Sequence, residues 1–267
     1  MYRELFLTAG EVERFEGVVL DCRFNLQEPL AGREAYAAGH LPGAHFLDLE
    51  EHLSAPRGPH GGRHPLPPPE AFAARLASLG IGRDSPLLIY DGGEIVFAAR
   101  LWWMLRGLGY GPLRLLAGGY RAWAEAGHVP ETSVPQPQSV PVPGVPAQWP
   151  GCCDRDGLRA LQADGVELVD AREGARYRGE RETIDPVAGH IPGAINRPWM
   201  DLTHPEHGLR PEEELRQCWG DALEADRLVV YCGSGVSACI NILSLVALGR
   251  DDAVLYGGSW SDWCSYL

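Results

Sequence analysis

Gly39-His40-Leu41-Pro42-Gly43-Ala44 recurs 150 positions on as Gly189-His190-Ile191-Pro192-Gly193-Ala194. The match extends in both directions. Val18-Val19-Leu20-Asp21-Cys22-Arg23 precedes the first copy as Glu167-Leu168-Val169-Asp170-Ala171-Arg172 precedes the second. Downstream, Pro86-Leu87-Leu88-Ile89-Tyr90-Asp91-Gly92-Gly93 answers to Arg227-Leu228-Val229-Val230-Tyr231-Cys232-Gly233-Ser234. Leu116-Ala117-Gly118-Gly119-Tyr120-Arg121-Ala122-Trp123 answers to Tyr256-Gly257-Gly258-Ser259-Trp260-Ser261-Asp262-Trp263. Four blocks in one order mean a tandem duplication, so the chain must fold the same way twice. In each copy, short apolar runs alternate with helical patterns, as over 69–79, 94–108 and 237–248. This alternation predicts an α/β fold, two domains each with a mainly parallel sheet flanked by helices. The domains are expected over 1–128 and 151–267. Residues 129–150 hold seven prolines in 22 positions and no apolar period, the mark of an extended, semi-rigid linker. The aromatic stretch 99–105 reads as packing.

Chemistry concentrates in residues 229–238, Val-Val-Tyr-Cys-Gly-Ser-Gly-Val-Ser-Ala. An apolar strand turns at two glycines around Cys232 and runs into a buried helix. Gly233 and Gly235 let the backbone curl so that successive N–H groups face the sulfur, and the helix start adds partial positive charge. Such a cradle lowers a thiol pKa and holds the anion it becomes. A cysteine ending a buried strand is ordinarily a small hydrophobe, but packing does not explain this loop. The first copy has Asp91 where the second has Cys232. The nucleophile therefore survives in one copy only, and the first half reads as a catalytically inactive scaffold. In open parallel sheets ligands sit beyond the carboxyl ends of strands, where Cys232 falls.

The formal charge of −13 argues against nucleic acid or an anionic membrane as partner. Any anionic substrate must then be met by a few placed arginines. No run reaches the length of a transmembrane helix, and the start, Met1 to Leu7, lacks the apolar core of a signal peptide. Seven cysteines, an odd number without CxxC spacing, point to a reducing compartment and a cytoplasmic protein. Cys152-Cys153 reads as a surface accident rather than a redox pair.

Together, the doubled GHxPGA, the proline-rich linker, Asp91 in the first cysteine position and Cys-Gly-Ser-Gly-Val-Ser-Ala in the second resemble the two-domain rhodanese sulfurtransferases. The resemblance implies two tandem rhodanese-like domains and an enzyme whose cysteine takes up a sulfur as a persulfide and passes it to a thiol or other nucleophile. The loop resembles that of the 3-mercaptopyruvate branch, with Gly233, Ser234, Gly235 and Val236 in place and Ser237 for the usual threonine. In that branch an arginine grips the donor carboxylate, which implies Arg176; a second arginine has no clean counterpart, Arg181 standing at a shifted position. The branch also pairs its loop serine with a histidine and an acid, which implies Ser234, His64 and Glu50, with Asp48 a rival acid.

The resemblance thus implies a ping-pong cycle at Cys232 with 3-mercaptopyruvate as donor and pyruvate as product. Acceptors would be a thioredoxin or a small thiol, and neither metal nor organic cofactor is required. Physics points the same way, because thiosulfate is a compact dianion that wants cations beside the cysteine and the loop has none. Thiosulfate as donor and a non-catalytic persulfide-carrying module are the alternatives. A cysteine phosphatase would need arginine at position 238, which holds Ala238.

Overall fold

The computed structural model describes residues 2–267, with side chains from Glu4 onward. Met1, where the leader-peptide reading begins, lies outside the described residues. The chain divides into two compact units. The first comprises the residues up to Ala55, Pro67–Pro150 and His204–Gly208, and the second comprises Pro56–Leu66, Gly151–Thr203 and Leu209–Leu267.

In the first unit, strands β1 (Phe6–Leu7), β2 (Val18–Asp21), β3 (His45–Phe46), β4 (Leu87–Tyr90) and β5 (Leu113–Leu116) form one sheet in the order β1-β5-β4-β2-β3, every pair parallel. The second has β6 (Cys152–Cys153), β7 (Glu167–Asp170) and β8 (Ala194–Asn196), and the chain then forms a two-stranded ladder of β9 (Thr203–His204) and β10 (Gly208–Leu209), of which His204 and Gly208 count with the first unit. With β11 (Leu228–Tyr231) and β12 (Val254–Tyr256) the main sheet runs β6-β12-β11-β7-β8, again all parallel. The two sheets correspond strand for strand, as the duplicated blocks predicted. Their central strands, Leu-Leu-Ile-Tyr and Leu-Val-Val-Tyr, are buried at all four positions, as a strand covered on both faces must be.

The recurring GHxPGA block serves the fold. His40 stacks on Tyr36 at 3.9 Å and its Nδ1 bonds the Tyr36 carbonyl at 2.8 Å; His190 stacks on Tyr177 at 4.0 Å with the same bond at 2.8 Å. The glycine carbonyls accept from arginines, Gly39 from Arg23 at 2.8 Å and Gly189 from Arg172 at 2.7 Å. Each arginine is locked on a fully buried aspartate, Asp21 or Asp170, at the carboxyl end of β2 or β7. The amides of Leu41 and Ile191 donate to the hydroxyls of Tyr90 and Tyr231. A buried ion pair is tolerable only when its remaining donors and acceptors are matched, and the block supplies those matches.

Helix Ala238–Ala247 is buried along its whole length, which places the loop before it against the core. Each buried Ile, Leu or Val there contributes about 1.5–3 kcal/mol. Trp102 and Trp103, in helix Val96–Gly107, are core residues, and Trp103 packs 5.8 Å from Trp149 of the proline-rich segment. That segment is extended and lies with the first unit, where the Val140 amide donates to the Ala77 carbonyl at 2.9 Å. No helix among the described residues is long and apolar enough to cross a membrane.

Candidate active site

Cys232 follows the last residue of β11 at the strand's carboxyl end and is 2% exposed. Burial pushes its thiol pKa up. The Ser237 hydroxyl and the amides of Ala238, Ser234 and Gly235 bond the sulfur and outweigh burial, so the thiol titrates below its ordinary value. Cys22, Cys153, Cys218 and Cys264 move the other way, Cys153 to about 12, mainly through burial. A thiol that is both buried and acidified is built for nucleophilic chemistry.

The two loop glycines serve different ends. Gly235 has φ +76°, the left-handed turn that aims the amides inward. Gly233 does not have a left-handed φ; its lack of a side chain makes room. A Cβ there would stand 2.9 Å from Arg63 Nη2 and 3.5 Å from Arg176 Nη1. Two guanidiniums thus lie over the loop one residue from the nucleophile.

Arg176, at the last turn of helix Gly174–Tyr177, holds Glu182 through Nε at 3.1 Å and Nη2 at 2.9 Å, and Asp185 through Nη2 at 3.0 Å. Arg63 pairs with the other oxygen of Asp185. Burial and the neighbouring Arg176 charge lower the Arg63 pKa, while Cys232 and Glu182 pull it upward. Arg172 joins the network at Glu182 at 3.4 Å. Three arginines, Arg63, Arg172 and Arg176, are matched by three carboxylates, Asp170, Glu182 and Asp185. Arg181 turns outward instead, 62% exposed and paired with Glu173, and Arg178 pairs with Glu180 in solvent.

His64 belongs to the second unit, on the segment Pro56–Leu66. That segment is pinned by Gly61 N–H to Asp262 Oδ1 at 2.7 Å and Arg63 N–H to Ser261 Oγ at 3.1 Å. Gly62, at φ +86°, lies so close to the Gly258 carbonyl that a Cβ would meet it at 2.5 Å. So held, His64 is 3% exposed and its Nδ1 is 2.8 Å from Ser234 Oγ. The structure therefore brings together Cys232, Gly233, Ser234, Gly235, Val236, Ser237, His64 and Arg176. Glu50 lies in the first unit, exposed, its amide donating to Asp48 Oδ1 at 2.8 Å. Buried Asp48 also accepts from Glu51, the pattern of a turn cap.

Sequence reasoning missed two residues. Arg63 carries no local signal, because its partner Asp185 is 122 positions away. Ser259 stands where the first repeat has Gly119, and both adopt left-handed φ, +56° and +59°. Its hydroxyl accepts from the Cys232 amide at 3.1 Å and donates to the Tyr256 carbonyl at 3.0 Å. The exchange of glycine for serine is legible in the repeat alignment, while the left-handed backbone that the serine keeps is seen in the structure alone.

In the first unit the corresponding loop closes on itself. The buried Asp91 carboxylate accepts from the amides of Gly93 at 2.9 Å, Ile95 at 3.0 Å, Phe97 at 3.1 Å and Ala98 at 3.3 Å. Its amides are occupied by the side chain of the chain itself.

The model of the rhodanese-like domain matches residues 8–126 and again 155–266. A Pseudomonas aeruginosa protein named "Probable 3-mercaptopyruvate sulfurtransferase" is 44% identical over 255 residues, 92% of this chain and 88% of that protein. A Mycobacterium tuberculosis protein named "Putative thiosulfate sulfurtransferase SseB" is 40% identical over 263 residues, 96% of this chain and 91% of that one. Among solved structures, the 3-mercaptopyruvate sulfurtransferase from Leishmania major superposes with TM-score 0.86 at 32% identity, covering 98% of this chain and 75% of its own.

Proposed function

The chain belongs to the rhodanese family and is a sulfurtransferase, and from that premise we propose that 3-mercaptopyruvate is the donor and a thiol, either a thioredoxin or a small molecule, the acceptor. The Cys232 thiolate attacks the donor sulfur, an S–S bond forms and the donor C–S bond breaks. The electron pair leaves as pyruvate enolate. The donor's thiol proton passes to the enolate carbon through Ser234 and His64, giving pyruvate and a Cys232 persulfide anion. The amides that lower the thiol pKa also hold this anion. An acceptor thiolate then attacks the outer sulfur, the S–S bond breaks and Cys232 returns as thiolate.

The observation that carries this reading is the charge balance over Gly233. Arg63 and Arg176 offer N–H donors toward the loop while Asp185 and Glu182 already neutralise them. Such a site accepts one carboxylate by charge-assisted hydrogen bonds and holds no surplus for a compact dianion. The thiosulfate reading is favoured by one thing, the pair of guanidiniums that Arg63 and Arg176 place over a loop with no cation of its own. Initial rates with both donors and one common thiol acceptor decide between them. A large preference for 3-mercaptopyruvate is expected, a preference for thiosulfate overturns the donor assignment, and Cys232→Ser abolishes transfer from both. Seven free cysteines support a reducing, cytoplasmic location.

A further inference from the structure

The first unit contains a cavity of about 440 Å³ between helices Ala31–Ala38 and Pro69–Ser78, strand β3 and the start of the proline-rich segment. Its volume is that of a small-molecule site. One side is apolar: Tyr36 and Phe46 stack at 5.2 Å, and Leu79, Val134 and Pro135 complete the wall. The other carries charge. Arg33 is neutralised by Glu51. Arg75 has no such match at its Nε, which is buried with no hydrogen-bond partner. Nε itself has no open surface, but the guanidinium lines the cavity and no carboxylate among the described residues pairs with it, so its remaining N–H groups can take a ligand oxygen by charge-assisted hydrogen bonds.

Two histidines flank it. His52 Nδ1 accepts from the Asp48 amide at 2.8 Å, so the neutral ring carries its proton on Nε2, on the side of Glu51. His45 is 9% exposed and also lines the cavity. Burial, and then the Arg75 charge, lower both imidazole pKa values, so neither histidine adds charge near neutral pH. Among the charged side chains that line the cavity, Arg33, Glu51 and Arg75, the surplus is therefore one positive charge, set beside an aromatic and aliphatic wall.

We propose that this cavity binds a small organic monocarboxylate with an aromatic or branched apolar body, its carboxylate on Arg75 and its body against Tyr36, Phe46 and Leu79. A dianion such as a phosphate monoester exceeds the available charge, and a neutral analogue leaves Arg75 unmatched. The site is separate from the residues around Cys232 and does not depend on the donor assignment.

The test uses the whole chain and 3-phenylpropionate as probe, followed by NMR titration, with 3-phenylpropanamide and phenyl phosphate as controls. Dissociation at about the millimolar level is expected for so small a ligand. Arg176→Ala, which removes the carboxylate partner near Cys232, leaves that binding unchanged. Arg75→Gln weakens it at least tenfold without altering sulfur transfer. Val134→Glu, at a position 62% exposed where a charge does not disturb folding, weakens it similarly by repulsion at the rim. Absence of binding at about 10 mM probe, equal binding of the amide or the phosphate, equal binding in both the Arg75 and Val134 variants, or loss in Arg176→Ala overturns the proposal.

Discussion

Ser237→Ala isolates the electrostatics of Cys232. The serine hydroxyl is the first of the groups that lower the thiol pKa against burial, ahead of the amides of Ala238, Ser234 and Gly235. A hydrogen bond to a charged group contributes about 1.5–3 kcal/mol. Since the hydroxyl favours the thiolate, removing it raises the pKa and moves the alkylation profile to higher pH. At a pH below both midpoints the thiolate population falls about ten- to hundredfold. A more basic thiolate is also the better nucleophile, with a Brønsted slope of about 0.45, so the rate falls less, by about three- to twelvefold. The assay is alkylation of Cys232 by iodoacetamide between pH 5 and 10, about the span of thiol titration, read by mass spectrometry of the intact chain. Ser237→Thr, which keeps the hydroxyl, restores the wild-type profile. A profile in Ser237→Ala that coincides with wild type refutes the argument, because the amides alone would then set the thiolate.

Arg63→Met removes one of the two guanidiniums over Gly233 while Asp185 keeps Arg176 at 3.0 Å, so the fold persists; kcat/KM for 3-mercaptopyruvate falls about ten- to hundredfold, whereas Arg181→Ala leaves steady-state rates unchanged. His64→Asn breaks the 2.8 Å contact to Ser234 and slows pyruvate release about a hundredfold or more, while a pre-formed persulfide is still discharged to a thiol; equal loss in both half-reactions would contradict a role confined to the donor step. Asp91→Asn turns an amide group toward backbone N–H donors that Asp91 now satisfies, lowering unfolding stability by about 1–3 kcal/mol in denaturant titration with sulfur transfer retained. Loss of transfer in a folded Asp91→Asn chain would mean that the first repeat does more than support.

Local order and repetition carried the duplication, the parallel α/β units, the Cys232 loop and the helix behind it, because strand, turn and helix are written in neighbouring residues and the chain states them twice. The same repetition exposed Asp91 as the counterpart of Cys232, and it held the unread sign that Ser259 replaces Gly119. Tertiary structure alone decided what surrounds the sulfur. Arg63 and His64 arrive from Pro56–Leu66, a segment that the sequence places in the first copy and the contacts place in the second unit. Gly233 proved to be an opening for two guanidiniums rather than a backbone turn, and Arg176 proved to share Asp185 with Arg63 while Arg181 faced solvent. Spacing along a chain dictates which residues share a strand or helix; which charges neutralise one another depends on distances through space between segments far apart in order, and no local pattern encodes those distances.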